Sequence, residues 1–260
     1  MSVYRMQIAF NGSRYAGWQR QTGLTTVQQS VEEVLHSVFR DDALTVTACG
    51  RTDAGVHALD MTLSFRTEAE VPGLQSLLKR RLPHDIRLLE ITPAPDDFNA
   101  HKSALGKAYV YVISPGEPNI FLHGLCWNWV DTPVTKEVRR ALEMLQGTHD
   151  FRFFTGRHTE DNTVRTLFRT ELTEFGPLAV FYFSGDGFLY KMVRRLMGFL
   201  YETAQGKRTA SKLAEHLNHP EIPPDDLTVA PPEGLYLKKT FYQPDEWKRD
   251  RLENLPFLVN

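Results

Sequence analysis

Over its first 92 residues the chain switches repeatedly between two hydrophobic periods, and no other feature narrows its fold as much. Tyr4, Met6, Ile8 and Phe10 recur every second residue, as in a half-buried strand, and Asn11-Gly12-Ser13 ends the run. Val27, Val31, Val34, Leu35, Val38 and Phe39 then recur at helical spacing, with Thr25 or Thr26 available as the cap. Leu44, Val46 and Ala48 return to period two, as do Met61, Leu63 and Phe65. Leu74, Leu77, Leu78 and Leu82 predict a second helix, and residues 86–91 a further strand. The order strand, helix, strand, strand, helix, strand is that of a split βαβ, or ferredoxin-like, unit, with helices against one face of an antiparallel sheet.

After the proline-bearing turn of residues 92–97 the pattern restarts, so an N-terminal α+β domain is expected over 1–100 and a C-terminal α+β domain over 101–260. Residues 104–113, ALGKAYVYVI, are apolar on both parities apart from Lys107, as in a central strand covered on both faces, with Tyr109 and Tyr111 on one side. Val138, Ala141, Leu142 and Leu145 predict a helix stopped at Gly147, and 178–183 a strand that turns at Gly185-Asp186-Gly187. Residues 188–201, FLYKMVRRLMGFLY, stack Leu189, Met192, Val193, Leu196 and Leu200 on one helical face, with Lys191, Arg194 and Arg195 beside it. A short helix over 210–218 and a strand over 235–242 complete a second strand-rich half. The fold class is therefore α+β, two split-βαβ halves forming a mainly antiparallel sheet flanked by helices.

No apolar run approaches the roughly 20 residues that span a bilayer. The first residues alternate like a strand and lack the regions of a signal peptide, so the cytoplasm is the expected location, with no membrane partner. Cys49 and Cys126 form neither a disulfide framework nor a zinc spacing, and no metal is expected. The formal net charge of -2 argues, as a total, against a polyanion-binding protein. Its distribution is more informative. Acids gather at 96–97, 171–174 and 221–226, bases at 79–84, 152–169 and 191–195, so a folded surface can carry a local positive groove. Each cluster is equally readable as solvated surface charge.

Residues 49–58, CGRTDAGVHA, set a carboxylate and a guanidinium among small residues, where another molecule can come close to Asp53. The same residues also make an ordinary turn capped by Asp53. With no second carboxylate or metal set beside it, Asp53 has the simple roles of nucleophile or base. His57 stands four residues further on, but the glycine makes helical alignment unfavourable, and His57 reads as structural. In residues 14–21, Arg14, Trp18, Gln19 and Arg20 mix guanidinium, amide and aromatic groups suited to phosphates and bases, or to a plain amphipathic loop.

The string GRTDAGVHA resembles the motif around the catalytic aspartate of the TruA family of tRNA pseudouridine synthases. Further fragments resemble the same family in the same order: residues 15–21 (YAGWQRQ), Lys107-Ala108-Tyr109, His149-Asp150-Phe151, Gly187-Phe188-Leu189 with Met192-Val193-Arg194, and Ala230-Pro231 leading to 234–237 (GLYL). Together they span nearly the whole chain. One departure is visible: Lys191 stands where the family often has histidine.

The resemblance implies that Asp53 is catalytic, that Arg194 pairs with it, that Tyr109 stacks on the target uracil and that Arg51 holds the nucleotide out of its helix, with Leu189 beside the substrate. RNA contacts are expected from Arg14, Trp18, Gln19, Arg20, Lys79, Arg80, Arg81, Arg152, Arg165 and Lys191. The implied reaction isomerises uridine to pseudouridine at positions 38, 39 and 40 of the tRNA anticodon stem-loop after base flipping, by a homodimer and without a cofactor. A carboxylate can attack ribose C1′ or add to uracil C6. Both routes need its charged form, which an adjacent arginine favours. A non-catalytic RNA-binding or chaperone module, or an Asp-dependent RNA hydrolase, are the alternatives.

Overall fold

The structure, a computed structural model, describes residues 1–117, 120–156, 161–220 and 226–252. Residues 157–160 of the basic segment 152–169, and 221–225 of the acidic segment 221–226, lie outside the described residues. The elements in chain order are β1 (Ser2–Phe10), α1 (Val27–Phe39), β2 (Thr47–Ala48), β3 (His57–Thr67), α2 (Leu74–Arg81), β4 (Ile86–Ala94), β5 (Gly106–Pro115), β6 (Trp127–Trp129), α3 (Lys136–Met144), β7 (Gly147–Asp150), β8 (Val164–Phe175), β9 (Leu178–Gly185), α4 (Met192–Ala204), α5 (Ala210–Asn218) and β10 (Leu235–Phe241). They form two compact units, residues 1–105 with 236–244, and residues 106–235 with 245–260.

In the first unit the strand order β4-β1-β3, with β2 on the far edge of β3, is that of the expected split βαβ. β1 is antiparallel to both neighbours, with Met6 opposite Leu63 and Ile91. Its alternation is realised as burial: Met6 and Ile8 are inside with Val27, Val31 and Leu35 of α1. Thr26 caps α1, its Oγ1 accepting the Gln29 N–H at 3.3 Å. The face of α1 differs from the expected one, since Val34 and Val38 are only half-buried while Glu32 is inside. Arg20 reaches that carboxylate at 2.7 Å, and the Val46 N–H donates to it at 3.2 Å. A buried charge needs such partners. By spending its N–H there, Val46 leaves the ladder, which explains why β2 is only Thr47–Ala48 although Leu44 and Val46 are buried.

The far edge of β3 takes a second strand. Tyr236 of β10 runs parallel to it opposite His57, so the last strand, from Tyr236, belongs with the first unit although it follows the second in sequence.

The second unit carries the sheet β5-β9-β8-β7, antiparallel throughout, with β6 parallel to β5. β5 is buried on both faces except at Lys107 and Pro115, and β9 is buried along its whole length. Helix α4 starts at Met192, later than hydrophobic spacing alone predicts, because Lys191 takes the left-handed conformation at φ 59 and holds the cap position. Among the described residues no helix is long and apolar enough to cross a membrane. Both units are α+β with mainly antiparallel sheets.

Candidate active site

Asp53 sits half-buried in the loop between β2 and β3, with Arg51 exposed and Thr52 buried beside it. A turn closes immediately after it: the Val56 N–H donates to the Asp53 carbonyl at 3.1 Å, and Gly55 in the third position has φ 79, which favours glycine. The rest of the loop is braced from residues 12–18. The Trp18 N–H donates to Thr52 O at 3.1 Å, and the Gly55 N–H to Tyr15 O at 3.3 Å. Gly17, at φ 93, lies so close that a Cβ would come 2.6 Å from Thr52 O. Gly12 approaches Val56 more closely still, and its N–H donates to His57 Nδ1 at 3.0 Å. His57 is buried and stacked on Tyr236 at 4.5 Å, which agrees with its structural reading.

This bracing corrects one expectation for residues 14–21. Trp18 is 2% exposed, so its indole packs inside and is no stacking platform for a base. Tyr15 is also buried; its hydroxyl donates to Asp85 at 2.7 Å, and burial together with that carboxylate pushes its pKa well up. Arg20 reaches back to Glu32, while Arg14, with its side chain 73% exposed, and Gln19 remain at the surface. Lys79, Arg80 and Arg81 form the exposed last turn of α2, where cations suit the helix terminus, and Arg81 donates to Ser37 at 2.8 Å.

In the second unit, Tyr109 on β5 is 8% exposed, its ring edge-on to Phe188 at 4.9 Å. Tyr111, two residues on and on the same side, serves as an anchor, its hydroxyl donating to Pro231 O at 2.7 Å. Burial pushes the Tyr111 hydroxyl well above the ordinary phenol pKa, and Glu233 adds to that. Gly234 makes room for the ring, since a Cβ there would lie 2.5 Å from it.

Arg194 occupies the first turn of α4, and its backbone and side chain both bind Ala230. Its Nε donates to Ala230 O at 2.8 Å, and the Ala230 N–H donates to its carbonyl at 3.0 Å. Further along the helix, Gly198 lets Thr228 approach, and Glu202 accepts the Thr228 N–H at 2.9 Å. Burial pushes the Glu202 carboxyl up, but hydrogen bonds from Arg208 and then Thr228 outweigh it and leave the group below its ordinary pKa. The segment 228–230 is thus tied along α4, and its Ala230 carbonyl holds the Arg194 Nε.

Leu189 is buried before the helix, its carbonyl accepting the Met192 N–H at 3.1 Å. Lys191 places its Nζ 5.1 Å from the centre of the Tyr190 ring. Arg152 pairs with Asp150 at 3.8 Å, and Arg165 donates to the carbonyls of Asn162 and Val164.

The first unit therefore gathers Asp53 and Arg51 on one braced loop, and the second carries Tyr109, Leu189 and Arg194. A carboxylate held this way is suited to nucleophilic or basic work on a bound molecule, because its loop need not reorganise. Among the described residues no group of three His, Cys, Asp or Glu side chains could hold a metal ion. From sequence, Gly12 belongs to the end of the first strand and Gly17 and Ala230 to family-like fragments, but no bracing contact of theirs is readable there.

A family model described as tRNA pseudouridine synthase matches residues 141–243. A tRNA pseudouridine synthase A from Geobacillus sp. (strain WCH70) is 36% identical over 239 residues, covering 90% of this chain and 96% of that protein. The protein of that name from Geobacillus kaustophilus (strain HTA426) is 37% identical over 91% of this chain and 93% of its own length. The one from Aquifex aeolicus (strain VF5) is 36% identical over 92% and 99%, respectively.

Proposed function

The chain belongs to the tRNA pseudouridine synthase A family and isomerises uridine to pseudouridine in tRNA, and on that premise we propose that Asp53 is its catalytic carboxylate. The observation that carries this reading is the multiply braced loop around Asp53, which holds the one carboxylate of the GRTDAGVHA motif in a fixed position. In the reaction the bond from C1′ to uracil N1 breaks, the base turns, C5 bonds to C1′, the C5 proton leaves and N1 takes one up. Asp53 forms the transient covalent bond, at C1′ or at C6, and either route uses its ionised form.

A base inside a stem cannot reach a side chain, so it must be flipped out at a cost of a few kcal/mol. We assign the stacking contact to Tyr109, the extruding contact to Arg51, an apolar contact to Leu189 and the charge partner of Asp53 to Arg194. The Nε bond to Ala230 O, which restrains the Arg194 side chain, supports that last role. The exposed bases Arg14, Arg20, Lys79, Arg80, Arg81 and Arg152, with Gln19, Arg165 and Lys191, are proposed phosphate or sugar contacts. The substrate uridines are proposed to be those at positions 38, 39 and 40 of the anticodon stem-loop, and the working form a cytoplasmic homodimer with tRNA across both subunits.

The test uses two tRNA substrates, one carrying tritium at uracil C5 only at positions 38–40 and the other only at the remaining uridines. Release of tritium to solvent from the first substrate, with its strand intact, supports the reading. Release only from uridines elsewhere refutes the site assignment, strand cleavage indicates a hydrolase, and binding without either indicates a passive RNA-binding module.

A further inference from the structure

Four residues beyond Asp53, His57 receives a hydrogen bond that the chemistry of the substrate does not need. Its Nδ1 accepts the Gly12 N–H at 3.0 Å, so that nitrogen presents a lone pair and the neutral ring carries its proton on Nε2. Gly12 opens the short 3-10 turn Gly12–Arg14, and an N–H at the start of such a turn has no partner within it. The imidazole supplies that partner from the first residue of β3. Nothing larger than glycine would permit the contact, because a Cβ on residue 12 would come 2.0 Å from Val56 O.

From Gly12 the same segment runs on to Tyr15 O and the Trp18 N–H, the two backbone groups that hold Gly55 and Thr52 on either side of Asp53. From His57 in the other direction, the Val56 N–H closes directly onto the Asp53 carbonyl. His57 thus joins the two chain segments whose spacing sets where Asp53 sits. We infer that His57 is a positioning residue for Asp53, acting through its Nδ1 bond to Gly12, an inference that rests on the catalytic reading of Asp53.

A residue that merely fills space would behave differently under substitution. His57→Phe keeps a ring of similar size for the stack on Tyr236 but removes the acceptor. His57→Asn loses ring volume but carries an acceptor oxygen the same number of bonds from Cα as Nδ1. His57→Gln places its acceptor one bond too far. Single-turnover tritium release from C5-labelled tRNA at saturating enzyme, tRNA affinity and thermal midpoint are measured for each, with Asp53→Asn as the control.

For His57→Phe and His57→Gln the rate should fall at least about tenfold, the scale of one buried donor left unsatisfied, with tRNA affinity within about twofold. His57→Asn should stay within about threefold of wild type, close to the effect of a modest packing change. The reverse order, with His57→Phe or His57→Gln matching or exceeding His57→Asn, overturns the inference. So does an asparagine variant that fails to fold while the phenylalanine variant folds, since volume and not the acceptor would then be decisive, or failure of all three to fold, since the imidazole would then be needed for folding and not for placing Asp53. Turnover by Asp53→Asn would instead defeat the catalytic reading itself, whatever the order at residue 57.

Discussion

Replacing Gly17 with alanine separates bracing of the Asp53 loop from simple backbone permissiveness, because Gly23 offers a matched control. Both glycines have left-handed backbones, at φ 93 and φ 76. A Cβ on residue 17 would lie 2.6 Å from Thr52 O, whereas one on residue 23 meets nothing within 4 Å. Both substitutions carry the left-handed penalty of about 1–2 kcal/mol. Only Gly17→Ala adds an overlap with backbone, about 1–3 kcal/mol more. Thr52 cannot relax alone, since the Trp18 N–H holds its carbonyl, so relief requires moving the Asp53 loop.

The overlap falls short of ordinary contact by about 0.8 Å, and a misplacement near 1 Å costs about 10²-fold in rate. Single-turnover tritium release and thermal melting are compared for both variants. Both should melt lower, by about 2–4 °C per kcal/mol. Gly17→Ala should also lose about 10- to 100-fold in rate, with Gly23→Ala within about twofold of wild type. Wild-type turnover by Gly17→Ala, or an equal loss in Gly23→Ala, would refute the reasoning.

Trp18→Ala should destabilise by about 3–5 kcal/mol, read by denaturant unfolding, as deletion of a buried indole does; Trp18→Phe should recover most of that without weakening tRNA binding, since no base stacks there. Arg194→Ala should fold, because α4 retains its apolar face and its backbone bond to Ala230, yet lose most tritium release; near-normal turnover would exclude the pairing with Asp53. The lowered carboxyl of Glu202 contributes stability that is complete above its unfolded pKa and is lost as pH falls through the lower folded value. Glu202→Gln should therefore melt lower at neutral pH and show a flatter acid limb in a melting series.

Much of the fold was legible because its signals are local. Met6 and Ile8 alternate and are buried, Thr26 caps where a cap was available, and the basic end of α2 falls in its last turn. What could not be read depends on partners distant in sequence. Glu32 looks like a solvent residue until Arg20 and Val46 arrive to satisfy it, and the same bond shortens β2. Leu235–Phe241 reads as a strand, but nothing in it says that Tyr236 pairs with His57. Lys191 delays α4 by a backbone conformation that lysine rarely adopts. At the site, Asp53 stood out through its motif, whereas Gly12 and Gly17 gain their meaning only from carbonyls some forty residues away, and Trp18 looked like a stacking ring because composition cannot report burial.

The most direct measurement is tritium release from C5-labelled tRNA by Asp53→Asn, at enzyme concentrations that bind all the tRNA. If the ionised carboxylate of Asp53 forms the covalent intermediate, the variant binds tRNA as wild type does and releases no tritium above background. Release at the wild-type rate by this neutral, isosteric side chain would show that another group performs the isomerisation.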